Sequence, residues 1–115
     1  MRRGEVRLVD LDPVPGSEPC KRRPAIVVSN DGANAAAARL GRGVVTVVPV
    51  TSNVSRILRF QVPLPAATAG LRVDSKAQAE QLGSVSVERL GPAIGIVPPA
   101  LMAAVDDALR LHLAL

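Results

Sequence analysis

Residues 43–53, GVVTVVPVTSN, carry apolar side chains on both parities of an extended strand, Val45 and Val47 on one side and Val44, Val48 and Val50 on the other. A strand that is apolar on one face suits a half-solvated sheet, whereas one apolar on both faces suits a sheet's centre, covered twice. The stretch therefore predicts a central, buried strand. Pro49 lies inside it, and since proline cannot donate to a ladder it requires a bulge or an unpaired edge position. Thr51-Ser52-Asn53 follows, so hydroxyls emerge where a rigid element reaches the surface, an arrangement that ordinary turn chemistry also produces.

Working outward, PAIVVSN (24–30) is a β-branched run that reads as a second strand,. DGANAAAARLG (31–41) reads as a short peripheral helix, with Asp31 as its cap and Gly41 as its stop,. GEVRLVDL (4–11) changes phase, Val6 and Leu8 against Val9 and Leu11, which predicts a strand with a bulge or with both faces covered,. DPVPGSEPCKRR (12–23) has three prolines and no apolar period, and reads as a long loop of the kind that carries function,. Downstream, RILRFQVPL (56–64) alternates like a half-buried strand. GLRVDSKAQAEQLGSVSVERLG (70–91) reads as a strand, a tighter strand from Ala79 to Val85 and a one-turn helix at Val87–Leu90, and AIGIV (93–97) as a last strand. PALMAAVDDALRLHLAL (99–115) starts with Pro99 in the first helical turn and sets Leu101, Val105, Leu109 and His112/Leu113 on one stripe,.

About six short strands with Gly/Pro turns and a terminal helix make a mainly β, α+β domain. The architecture is a small SH3-like antiparallel β-barrel with short helices and a C-terminal helix, or a compact α+β sheet. A length of 115 residues allows one domain, 1–115, and no second core,. Without Trp or Tyr, and with Phe60 as the one aromatic, the core is aliphatic and thin, so dimerisation is an expected source of further burial,.

The formal net charge is +4, and it is unevenly placed. Residues 1–60 hold ten Lys/Arg against five Asp/Glu, and residues 61–115 hold four against five. An anionic partner is expected at the first half. Twelve of the fourteen basic residues are Arg, whose planar fork suits phosphate, although a GC-rich genome also favours Arg. One cysteine, Cys20, excludes an internal disulfide, and with a single histidine it excludes a Cys/His zinc site,. The chain opens on no secretory signal pattern, and its longest apolar run falls short of the ~20 residues a spanning helix needs. A soluble, cytoplasmic protein is expected.

Familiar catalytic sets are missing. His112 stands alone and reads as a surface or packing residue, Cys20 has no partner base, and no GxSxG, HExxH, Walker or GxGxxG pattern occurs,. Catalysis, if present, falls to Arg, hydroxyls and carboxylates. Lys21-Arg22-Arg23 precedes Pro24, and the pre-proline restriction holds Arg23 extended at a strand's mouth. A guanidinium fixed there suits a pentacoordinate phosphorane, against the plainer reading of a solvated charge run. Asp74, Glu80 and Gln81 either line the same face or point outward.

Together these segments resemble the MazF/PemK-like toxins, the mRNA interferases of bacterial type II toxin–antitoxin modules. The resemblance rests on GEVRLVDLDPVPGSEPCKRRPAIVVSN, VVTVVPVTSN, FQVPL and AEQLGSVSVERL, and spans nearly the whole chain. It implies an SH3-like barrel dimer that cleaves single-stranded RNA at short sequences through a 2′,3′-cyclic phosphate, without metal or other cofactor. Carried over by motif, Arg23 and Thr51 form the catalytic pair, and Glu18 sits in a loop covering the RNA groove and is a candidate base. Lys21, Arg22, Ser52, Asn53, Glu80 and Gln81 are the expected RNA-binding residues. The expected partners are single-stranded RNA, a second copy of the chain and a cognate antitoxin with an acidic disordered C-terminal tail, with no membrane. The chain departs from the pattern at Arg7, where the family usually has an aromatic, and at Glu80, where it has Asp, so base stacking and the cleavage sequence are expected to differ. Arg39 and Arg42, in a stretch longer than in compact members, either widen the RNA contact or do nothing. A gyrase poison of the related CcdB kind, or a barrel that binds nucleic acid without cleaving it, is the alternative.

Overall fold

The computed structural model describes residues 1–10 and 22–115. Strands β1 (Glu5–Asp10) and β2 (Arg22–Val27) are followed by helix α1 (Asp31–Leu40) and strands β3 (Val44–Thr51), β4 (Gln61–Leu64), β5 (Ser75–Gln78), β6 (Gly83–Ser86) and β7 (Leu90–Ile96). Helix α2 (Pro99–Leu113) closes the order, and single 3-10 turns lie at Ala79–Gln81 and Val87–Arg89. Of the expected loop 12–23, Arg22 and Arg23 belong to β2 and the remainder lies outside the described residues.

The strand read as central is central. One edge of β3 pairs with β2, and its other edge pairs with β6 over Val44–Val47 and with β5 over Val50–Thr51, all antiparallel. The 3-10 turn Ala79–Gln81 shifts the register against β3 by three residues, so the tighter strand expected through Ala79–Val85 is broken there. Val48 and Pro49 face this break. Thr46 turns its N–H and C=O to the β2 side, and peptide groups alternate along a strand, so the nitrogen of Pro49 falls on the opposite edge, in the gap.

Two-faced burial follows the parity of the sequence. Val6, Ile26, Val48, Val50, Leu64 and Val105 share one core under α2. Val9, Ala25, Val27, Val45, Val47 and Val85 share another on the opposite face. β1 contributes to both because Val6 and Val9 differ in parity, and its pairing with β7 is bulged around Arg7.

The mainly β class holds, with a correction to the barrel. The seven strands form an open sheet in the order β4-β5-β3-β2-β1-β7, with β6 on β3, and no ladder joins β7 to β4 among the described residues. The turn after β4 is pressed onto β7 instead: a Cβ on Gly95 would overlap the Ala69 carbonyl, and one on Gly70 (φ +78°) would overlap that of Ile94. The seal needs glycine on both sides.

Three smaller expectations are also corrected. The strand read at 56–64 is confined to 61–64, because Gln61 closes a turn before it: its N–H donates to the Leu58 carbonyl and its Oε1 accepts from the Leu58 N–H, each at 2.9 Å. The cap of α1 is Asn30, whose Oδ1 accepts from the Ala33 N–H at 2.8 Å, while Asp31 accepts from the Arg3 N–H at 2.6 Å and ties the helix to the segment that leads into β1. The stripe on α2 buries Val105 and Ala108 but ends before Leu113, which is exposed. His112 is exposed and packs beside Phe60, ring centres 6.1 Å apart.

Candidate active site at the open end of the central strands

β1, β2, β3 and β5 bring four different segments to one end of the sheet. Val9 stands opposite Arg23, and Thr51 opposite Lys76, in observed pairs. The β2–β3 register, which sets Ala25 against Pro49, sets Arg23 against Thr51 when continued by two residues. The observed ladder ends at Ala25 and Pro49, and what brings the guanidinium and the hydroxyl together is the cleft that both residues line. Asp10 stands opposite Arg22 in an observed pair.

Two clefts meet at this end. One, of about 530 Å³, is lined by Arg22, Arg23, Thr51, Ser52, Arg72 and Ser75 among others. The second, of about 540 Å³ on the opposite face, is lined by Arg23, Gln78, Gln81 and Ser84. Arg23 thus borders both. No acidic side chain lines either cleft among the described residues, and although Asp10 stands opposite Arg22, Arg22, Arg23 and Arg72 outnumber it, so the local field favours an anion.

Thr51 Oγ1 accepts a hydrogen bond from the Asn53 N–H at 3.2 Å. The turn occupies a lone pair and leaves the hydroxyl hydrogen to donate elsewhere. Arg22 extends across β1 to lie against Gly91. The Ser75 hydroxyl donates to the Val73 carbonyl at 3.0 Å, and Asp74 accepts from the Ala66 N–H at 2.8 Å, which fixes the turn that presents Arg72.

Of the residues read from the sequence, Arg22, Arg23, Thr51 and Ser52 are brought together in one cleft and Gln81 lines the other. Asn53 lines neither; its Oδ1 accepts from the Ser55 hydroxyl at 2.8 Å and shapes the turn after Thr51. Glu80 lines neither; its Oε2 accepts from Gln61 Nε2 at 2.7 Å. Asp74, Glu80 and Gln81 do not share one face. Glu18, Lys21 and Cys20 lie outside the described residues. Sequence reading missed Arg72, because it sits in the half whose acids and bases nearly cancel, and averaging hides one well-placed cation.

Residues 2–113 match the family described as PemK-like, MazF-like toxin of type II toxin-antitoxin system. The chain is 62% identical to endoribonuclease MazF9 of Mycobacterium tuberculosis, over all of this chain and 98% of that protein. It is 33% identical to endoribonuclease EndoA of Bacillus subtilis, over all of this chain and 96% of that one. A mycobacterial endoribonuclease solved in complex with its cognate antitoxin superposes with a TM-score of 0.78 at 26% identity, covering all of this chain and 96% of that chain. No helix among the described residues is long and apolar enough to cross a membrane. With an open end of arginines and hydroxyls on an antiparallel sheet, and a match along nearly its whole length, the chain belongs to the PemK-like, MazF-like toxins of type II toxin–antitoxin systems.

Proposed function

We propose that this chain is the toxin of its module and an endoribonuclease that cleaves single-stranded RNA at short sequences, with Arg23 and Thr51 as the catalytic pair. One observation carries the assignment: Arg23 borders both clefts, with Thr51 beside it on the first. The 2′-oxygen attacks the neighbouring phosphorus in line, forming the P–O2′ bond and breaking the P–O5′ bond. The products are a 2′,3′-cyclic phosphate and a 5′-hydroxyl. DNA lacks the nucleophile and is not cut. Arg23 binds the extra negative charge of the phosphorane and passes a proton to the leaving 5′-oxygen, while Thr51 donates a hydrogen bond to a non-bridging oxygen. Glu18 or a water takes the 2′-proton, since a guanidinium, already protonated at neutral pH, has no lone pair to accept one. The reaction as drawn needs no metal or cofactor.

Lys21, Arg22, Ser52 and Gln81 hold the strand on either side of the scissile phosphate, joined by Arg72. Asn53 and Glu80 assist through the turn after Thr51 and through Gln61. A cognate antitoxin covers the same basic end with an acidic, disordered tail, in keeping with the antitoxin complex of the mycobacterial relative. A homodimer is supported by Leu111, Leu113 and Leu115, exposed at the end of α2. The working unit is the single domain 1–115, acting in the cytoplasm, where a lone cysteine stays reduced. The gyrase-poison and inactive-barrel readings are not favoured, since MazF9 and EndoA are both named endoribonucleases.

The test is incubation of the purified protein with a long single-stranded RNA in excess EDTA, beside an Arg23→Ala control, with cut sites and end groups mapped. Discrete cuts with 5′-hydroxyl ends, absent from the folded control, are expected. No cleavage by folded wild-type protein overturns the function, and equal cleavage by the control removes Arg23 from the pair.

A further inference from the structure

The mechanism leaves one buried cation unused. Lys76 on β5 is 9% exposed. It stands directly opposite Thr51 on one side and Pro63 on the other, so it is the cross-strand neighbour of Thr51. Its Nζ donates to the Arg56 carbonyl at 2.5 Å. Among the described residues it has no carboxylate within ion-pair distance. An aliphatic side chain would pack as well on a strand between Thr51 and Pro63, so packing alone does not select a lysine.

We propose that Lys76 is a positioning residue of the cleavage reaction, resting on the function assigned above. It lines neither cleft, so it acts through its neighbours. Its bond to the Arg56 carbonyl anchors the segment that leaves Thr51, and this fixes where the Thr51 hydroxyl and Ser52 stand. Its charge is held on the Arg56 carbonyl, so the anchor stays fixed and needs no reorganisation as charge develops at the phosphate.

The test is Lys76→Met, which keeps the length and removes both the charge and the donor, with Lys76→Gln as a second variant that keeps an N–H donor but no charge. Steady-state cleavage of a short RNA and thermal melting are measured on both. The expected result for Lys76→Met is a protein still folded at the assay temperature, KM within about twofold, and kcat lowered about ten- to a hundredfold, the scale of loss when a group that positions a catalytic side chain is misplaced. Lys76→Gln is expected to fall between. Unchanged kcat in both variants overturns the proposal, as does a loss of activity that follows a loss of folded protein. Inactive wild-type protein overturns the endoribonuclease assignment and this inference together, whereas active wild type with equally active variants overturns this inference alone.

Discussion

Arg3 and Arg23 stand at opposite ends of the β1–β2 ladder and are used in opposite ways. At one end Arg3 donates to the Val28 carbonyl at 2.8 Å and to Asp106 at 2.7 and 3.5 Å, joining the mouth of β1 to the end of β2 and to α2. Nearby, Arg7 donates to Glu5 at 3.2 Å and to the Gly91 carbonyl at 3.1 Å. At the other end Arg22, Arg23 and Arg72 converge on a cleft without an acidic lining residue among those described. The side chain is the same, and the placement of carboxylates decides its use. Where Asp106 and Glu5 satisfy the fork it is a brace; where hydroxyls and open cleft surround it, its donors await a phosphate.

The largest expected effect tests the cleft end. Arg23→Ala is expected to lower kcat/KM for RNA cleavage by on the order of 10²–10³-fold, the loss when one preorganised donor to a developing oxyanion is removed, with the melting temperature unchanged. Arg3→Ala is expected to do the reverse: it removes a bridge between three elements and lowers stability by about 1–3 kcal/mol, read by urea unfolding, while the folded protein cleaves at the wild-type rate. Equal catalytic losses in the two variants would break the contrast and make the arginines one electrostatic set.

Much of this division could not be read along the chain. The two-faced valines of 44–50 predicted the sheet's centre because burial on both faces is a local pattern, and Pro49 and Thr51 came with it. Gly41 stopped α1 for a similarly local reason. The seal of β7 by Ala69 and Gly95, and the break at Ala79–Gln81, depend on contacts between segments more than ten residues apart, which leave no period in the sequence. Those same long-range contacts decide which arginine meets an acid. Arg3 and Asp106 are 103 residues apart, so the sequence count scores Arg3 as part of a basic surface. Arg72, by contrast, is lost in a half-chain that sums to near neutrality. Arg23 and Thr51 could be paired in advance only through the family resemblance; the strand pattern by itself placed each at a strand end and left a solvated charge run and an ordinary turn as open readings.

Arg72→Ala is expected to have a smaller effect than Arg23→Ala and a different one. An exposed cation on the rim binds substrate and transition state alike, so KM should rise several-fold with kcat nearly constant. The slope of log affinity against log salt should shrink by about one phosphate contact. A fall in kcat instead would move Arg72 from the rim to the reacting centre.

The smallest effect is the control that gives the others their meaning. Arg110 lies on the exposed side of α2, paired with Asp107 at 2.9 Å, with side chains 62% and 78% exposed. Such pairs contribute less than about 0.5 kcal/mol, so Arg110→Ala should leave stability nearly unchanged. It removes the same unit of net charge as Arg72→Ala. If RNA affinity depends on the protein's overall charge, the two variants weaken binding alike and flatten the salt slope alike. If it depends on the cleft, Arg110→Ala binds and cleaves as wild type does, because a charge beyond a Debye length of about 8 Å is screened from the bound strand. Measuring both variants at two salt concentrations therefore separates a basic protein from a basic site.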